Sequence, residues 1–161
     1  MTSYESMKFK FEISAGGIVF KQVTGNKQPV TLWLITQHSQ HKGWGFPKGL
    51  VGDIKKDETI KTAALREVRE EGGIKAKIIN EQPIKVQYMY RWPSSAKATK
   101  SKEDTLIKKT VYFYLMEYVS GDPKDHDWEV SEAKFVDADE VRKILTYKSD
   151  KEAFAKILKI V

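Results

Sequence analysis

The chain has 161 residues, 40% hydrophobic and 31% charged, with a formal net charge of +6 at pH 7 and no cysteine. That length suits one domain over residues 1–161, able to bury about two thirds of its unfolded surface. The composition excludes a disordered chain, the lack of thiols excludes disulfides and thiolate metal sites, and no apolar run approaches the roughly 18 residues of a membrane span. The opening MTSYESMKFKFE carries no apolar signal region, which points to the reducing cytosol. Excess lysine favours an anionic partner, but scattered lysine is usually solvated surface, and charge alone does not separate a nucleotide from RNA or an inositol phosphate. No protein partner is evident.

In chain order, the β-rich runs FEISAGGIVFK (11–21) and PVTLWLITQ (29–37) flank the turn residues Gly25 and Asn26 and predict a strand pair. HSQHKGWGFPKGLVGD (38–53) holds four glycines and a proline around two aromatics, which predicts irregular backbone that packs. A helix of about three to four turns follows, with Asp57 as its N-cap, Glu58 in its first turn and Gly72-Gly73 as its stop. AKIINEQPIKVQYMY (76–90) and KKTVYFYLMEYV (108–119) read as strands, joined by the lysine- and serine-rich segment 92–107, expected to be a mobile loop. AKFVDA gives a short strand, and two helices begin at the Asp137/Glu140 and Ser149/Glu152 capping patterns.

The stretch REVREEGG (66–73) concentrates three glutamates on one turn of the first helix. At about 100° per residue, Glu70 lies roughly 60° to one side of Glu67 and Glu71 roughly 40° to the other, so the three carboxylates share an arc. Ile60, Ala64, Leu65 and Val68 are expected beside them on the packed face. Glu67 and Glu71 repel as an i,i+4 like-charge pair, and a bound cation would relieve the strain. Clustered hard oxygens suit magnesium or manganese, and magnesium commonly takes one or two carboxylates while phosphate and water complete its shell. Arg66, one turn before Glu70, is placed to hold that carboxylate. Acidic i,i+4 patterns are usually a solvated helix face, so REVREE alone does not decide the matter.

The wider frame does. GDIKKDETIKTAALREVREEGGI (52–74) fits G-x5-E-x7-R-E-U-x-E-E-x-G-U, with U a bulky aliphatic, at Gly52, Glu58, Arg66, Glu67, Val68, Glu70, Glu71, Gly73 and Ile74. Seven fixed and two aliphatic positions would match by chance in about one window in a billion. This segment resembles the Nudix box. The resemblance implies an α/β/α sandwich with a curved mixed sheet between helices, and a hydrolase that cuts a nucleoside diphosphate linked to another group. It implies a magnesium (or manganese) site on Glu67, Glu70 and Glu71, with a backbone carbonyl near Gly49, while Gly52, Glu58, Gly73 and Arg66 support the geometry. A carboxylate must accept the proton of the attacking water. Glu67 is one candidate; Glu129, in the loop before the last strand, is another, with Glu132 in reserve.

Outside the box, GWGFPKG, TVYFYLMEY and DWEVSEAKF are most similar to the asymmetrical diadenosine tetraphosphate hydrolases, which yield ATP and AMP. That likeness implies a small nucleotide substrate and marks Tyr90. Tyr88, Tyr90, Tyr112 and Tyr114 alternate along two strands and are expected to share a face for stacking adenine, although core packing would explain any one of them. His38, His41, Lys42, Lys48, Arg91 and Lys109 are candidates for the distal phosphates. Other dense polyanions stay open: diphosphoinositol polyphosphate, ADP-ribose, a nucleoside triphosphate, or RNA only as a capped or triphosphorylated 5′ end. The alternative from another class is a non-catalytic module that binds a nucleotide or RNA, and the complete set Glu67, Glu70 and Glu71 argues against it.

Overall fold

A computed structural model describes residues 8–26, 28–52, 55–92 and 105–161, with the backbone alone at Trp92. Alternating β-branched and aromatic residues give the long strands β1 (Lys8–Thr24), β2 (Pro29–His38), β6 (Ile84–Trp92) and β7 (Thr105–Gly121). Shorter strands are β3 (Trp44–Gly45), β4 (Lys48–Leu50), β5 (Ile74–Ile78) and β8 (Val130–Val136). The helices are α1 (Ile60–Gly72), α2 (Ala138–Ile144) and α3 (Lys148–Leu158). All eight described strands join one sheet along the path β3-β2-β1-β7-β5, with β4 paired to β1, β6 to β7 and β8 to β2. β1 and β7 run parallel and the other pairs antiparallel, so the sheet is mixed.

Each sheet face carries its own core. Ala15, Val19, Tyr114 and Met116 pack under Ala63, Ala64 and Val68 of α1. On the other face Ile18, Trp33, Phe46 and Phe113 meet Val141 of α2 and Phe154 and Ile157 of α3. Helices therefore cover both faces, giving the expected α/β/α sandwich. No described helix is long and apolar enough to cross a membrane.

Several boundaries differ from expectation for local reasons. Thr59, not Asp57, caps α1, its Oγ1 accepting from Thr62 N at 3.1 Å. Glu58 consequently lies outside the first turn and turns back toward Arg66. Ala63 is buried where Leu65, 37% exposed, had been expected. The run 76–90 breaks into β5 and β6 at a turn where Gln82 N donates to Asn80 Oδ1 at 2.9 Å, before Pro83, which donates no ladder hydrogen bond. Segment 38–53 contains β3 and β4 as well as irregular backbone. Asp137 caps α2 through Glu140 N, as read, but α3 starts at Lys148 without a side-chain cap and encloses Ser149. Of the supposed loop 92–107, residues 105–107 belong to β7, and 93–104 lie outside the described residues.

Candidate active site

Arg66 organises the acidic stripe. Its Nε and Nη2 donate to Glu58 Oε2 and Oε1 at 2.6 and 3.0 Å, a two-pronged contact. Nη1 donates to Glu67 Oε1 at 2.7 Å and to Glu70 Oε2 at 3.0 Å, and Nη2 to the Leu50 carbonyl at 3.3 Å. Glu58 Oε1 also accepts from Gly52 N at 3.1 Å, which ties the loop to the helix. At the far end Gly73 takes the left-handed conformation at φ 74°, and its N–H donates to Arg69 O. The box residues thus hold each other through the spacing that identified them.

Glu71 Oε1 accepts from Lys48 N at 3.2 Å, so the third carboxylate faces the β4 backbone. Gly49 abuts Glu67 so closely that a Cβ there would overlap its carboxyl group. Burial pushes Glu67 up to about 7, against the pull of Arg66 and with help from Glu70 and Glu129. Burial likewise pushes Glu71 up to about 8, assisted by Glu67 and opposed by Lys48. Among the described residues no three His, Asp or Glu side chains are grouped closely enough to hold a metal ion by themselves. Magnesium does not need such a group, because phosphate and water supply much of its shell. An oxygen-only donor set, whose crowded carboxylates would give up their protons to a cation, fits a divalent ion, which Glu67, Glu70, Glu71 and the Gly49 carbonyl could hold.

Above this floor opens a cleft of about 1170 Å³ lined by Lys48, Lys109, His38, His41, Tyr88 and Tyr90 as well as the three glutamates. The Lys48 ammonium pKa is raised: burial works against it, but Tyr88, Asp150, Glu71 and Tyr147 together outweigh burial. Lys109 is lowered by burial and by Lys48, while Glu12, Glu71 and Glu67 resist. The His38 and His41 rings stack at 3.9 Å and 8°. His38 Nδ1 accepts from Gln40 N, and His41 Nδ1 from Gly43 N, each at 3.1 Å. Burial, then mutual repulsion and Lys48, lowers the His38 pKa; burial, then Lys48, lowers that of His41.

The loop before β8 closes the acidic end. Asp127 N donates to Glu70 O at 2.8 Å, Glu129 N to Asp127 Oδ1 at 3.1 Å, and Ser39 N to Glu129 O at 2.9 Å. These bonds put Glu129 in the cleft wall, near enough to raise the pKa of both Glu67 and Glu71. Glu132 instead lies on β8 beside Lys134, 3.5 Å away, outside the cleft lining.

The four tyrosines do not share a face. Tyr88 lies opposite Lys109 and Tyr90 opposite Ile107, on the side of α3, whereas Tyr114 is 6% exposed and packs beneath α1. Tyr112, two residues from Tyr114, points the same way and does not line the cleft. Tyr90 lines the rim and donates its hydroxyl to Glu12 Oε1 at 3.0 Å. Lys42, at φ 63°, and Arg91, on the face of β6 opposite Tyr90, also fall outside the lining. Sequence reasoning missed Asp127, Trp128, Tyr147 and Asp150, all in the cleft wall. In the sequence DWE stands out for Glu129 and for the family likeness, and the YKSD stretch only for a helix cap.

The family model described as the NUDIX domain matches residues 12–157. The chain belongs to the Nudix family. A curated relative from Mycobacterium tuberculosis (strain CDC 1551 / Oshkosh) bearing the mutator-protein name MutT4 is 29% identical over 147 residues, 90% of this Nudix chain and 54% of that protein. The chain thus spans about half the length of that relative. C. elegans Ap4A hydrolase in a binary complex superposes with a TM-score of 0.66 at 22% identity, covering 93% of this chain and 99% of that one. The NUDIX domain of Shewanella oneidensis NrtR complexed with ADP ribose gives 0.58 at 17% identity, covering 94% and 90%. E. coli dihydroneopterin triphosphate pyrophosphohydrolase gives 0.57 at 17% identity, covering 94% and 99%. At these identities the likeness establishes the Nudix fold.

Proposed function

We propose that the protein is a divalent-metal-dependent pyrophosphohydrolase of nucleotides, and that its preferred substrate is diadenosine tetraphosphate, cut asymmetrically to ATP and AMP. The observation that carries the reading is the joining of Glu67, Glu70 and Glu71 by Arg66 and Lys48 N at the floor of a cleft walled by Lys48 and Lys109. Glu67, Glu70 and Glu71, with the Gly49 carbonyl, hold the cation, for which magnesium is the first choice. When bound, it polarises phosphoryl oxygens and acidifies water. Arg66 keeps two carboxylates aimed together before substrate arrives, so little reorganisation is left for the reaction.

Lys48 and Lys109 take the phosphates farther from the acidic floor, with neutral His38 and His41 beside them as hydrogen-bond partners. Tyr88 and Tyr147 offer ring faces for a base. Water attacks phosphorus, the phosphoanhydride P–O bond breaks toward the leaving phosphate, and Glu129 accepts the water's proton and returns it to solvent. The C. elegans Ap4A hydrolase fold supports the dinucleotide choice; the cysteine-free sequence is compatible with a reducing cytosol. The test compares catalytic efficiency at equal magnesium on diadenosine tetraphosphate, ADP-ribose, deoxynucleoside triphosphates, diphosphoinositol pentakisphosphate and capped RNA. The dinucleotide is expected to rank first. A higher value on any other compound overturns the substrate choice, and no hydrolysis of any of them overturns the enzyme reading.

A further inference from the structure

Asp150 is a buried charge that this chemistry leaves unused. It stands in the first turn of α3, is only 3% exposed, and lines the cleft. Among the described residues no hydrogen bond or ion pair reaches its carboxylate; burial raises its pKa to about 6, opposed only by Lys48. At pH 8 it is therefore a largely buried anion whose oxygens have no protein donor and keep their remaining access through the cleft, where a donor on a bound ligand would satisfy them.

The backbone is shaped to bring it there. Trp44 N donates to Thr146 Oγ1 at 2.8 Å and Thr146 N to Trp44 O at 3.1 Å, so residues 43–45 run beside the start of α3. A Cβ on Gly43 would lie 2.5 Å from Tyr147 Oη, and one on Gly45 would lie 2.8 Å from Asp150 Oδ2. The two glycines of GWG thus admit one aromatic ring and one carboxylate into the cleft. Tyr147 is fixed by a hydrogen bond of its hydroxyl to His41 Nδ1 at 3.0 Å, and α3 packs on β6, which carries Tyr88. Phe46, next to Gly45, also lines this end.

Aromatic rings beside a lone acceptor suit a flat ring with an amino edge. A ribose hydroxyl could also donate, but it makes no use of the ring faces. A 6-oxo group would set oxygen against oxygen, whereas the 6-amino group of adenine presents a donor. We propose that Asp150 reads the nucleobase: its carboxylate accepts a hydrogen bond from the exocyclic amino group of a base seated against Tyr147 and Tyr88, and so favours adenine over 6-oxopurines. This rests on the nucleotide reading above and adds the residue that selects the base.

The test is calorimetric binding of ATP, ITP and tripolyphosphate at pH 8, with calcium in place of magnesium, to the full chain and to Asp150→Asn. The unaltered protein should bind ATP about tenfold more tightly than ITP, the worth of one hydrogen bond with a charged partner. Asp150→Asn, which offers an amide donor to the 6-oxo group, should erase or invert that ratio; the field at Lys48, which the substitution also alters, shifts tripolyphosphate and both nucleotides together and leaves the ratio to report the base. Equal weakening of all three ligands would show that Asp150 acts through Lys48, and an unaltered ratio would show that it reads no base; either overturns the inference. Purine riboside triphosphate, which lacks the amino group, decides the matter in the unaltered protein if the variant does not fold: affinity equal to ATP overturns the inference. Nucleotide hydrolysis with no selectivity among bases defeats this inference alone, whereas no hydrolysis of any nucleotide defeats the reading beneath it.

Discussion

Arg66 and Glu58 are joined by two hydrogen bonds, 2.6 and 3.0 Å long, between side chains only 12% and 4% exposed. Glu58 therefore anchors the guanidinium that also reaches Glu67 and Glu70. Glu67 and Glu70 would still compensate the guanidinium, but removing Glu58 leaves Arg66 Nε and Gly52 N without their acceptor, which costs about 3 kcal/mol for the two together. Glu58→Ala should lower unfolding stability in urea by about that amount and reduce turnover as well. A change below about 1 kcal/mol would show the pair to be peripheral.

Gly49 offers a narrower perturbation. Any side chain there meets the Glu67 carboxyl group, which Arg66 restrains. Gly49→Ala should displace that carboxylate and lower turnover at least about tenfold, with a smaller loss of melting temperature than Glu58→Ala because only the end of one side chain has to move. Near-normal turnover would place Glu67 outside the working geometry.

The raised pKa values set a pH dependence. Glu67 and Glu71 release protons near 7 and 8 when folded, chiefly because of burial, and near 4.3 when unfolded. The folded state binds the extra protons between those limits, so the stability they contribute is complete below about pH 4 and is lost as pH rises through 7 and 8. Asp150, raised to about 6, acts in the same direction. The metal-free protein should melt at a lower temperature at pH 8.5 than at pH 5.5, and Glu71→Gln should flatten the decline. Scanning calorimetry across that interval checks the sign; a rise with pH contradicts it.

The acidic half of the site was legible in the sequence because one helix fixes it. Glu67, Glu70 and Glu71 need only a 3.6-residue repeat to converge, and Glu58 and Gly52 sit at spacings that recur in a known box. The half proposed to bind the base depends on long-range placement. Tyr88 faces Lys109 through strand register, and a one-residue difference in register separates it from Tyr112 and Tyr114, which point beneath α1. Tyr147 and Asp150 enter the cleft only because Thr146 pairs with Trp44, a contact across 102 positions that no local pattern encodes. Segment 38–53 reads as packed irregular backbone and GWGFPKG within it carries the family likeness, but that its glycines admit α3 side chains follows only from the folded chain.

The central claim is that the carboxylates on α1 hold the cation on which hydrolysis depends. Turnover of diadenosine tetraphosphate as magnesium is titrated from zero, in the unaltered protein and in Glu71→Gln, tests it most directly. The expected result is no turnover in chelator, recovery on adding magnesium, and at least about a hundredfold lower maximal rate in Glu71→Gln with its fold intact. Full turnover in chelator, or a Glu71→Gln variant as active as the unaltered protein, would contradict the claim.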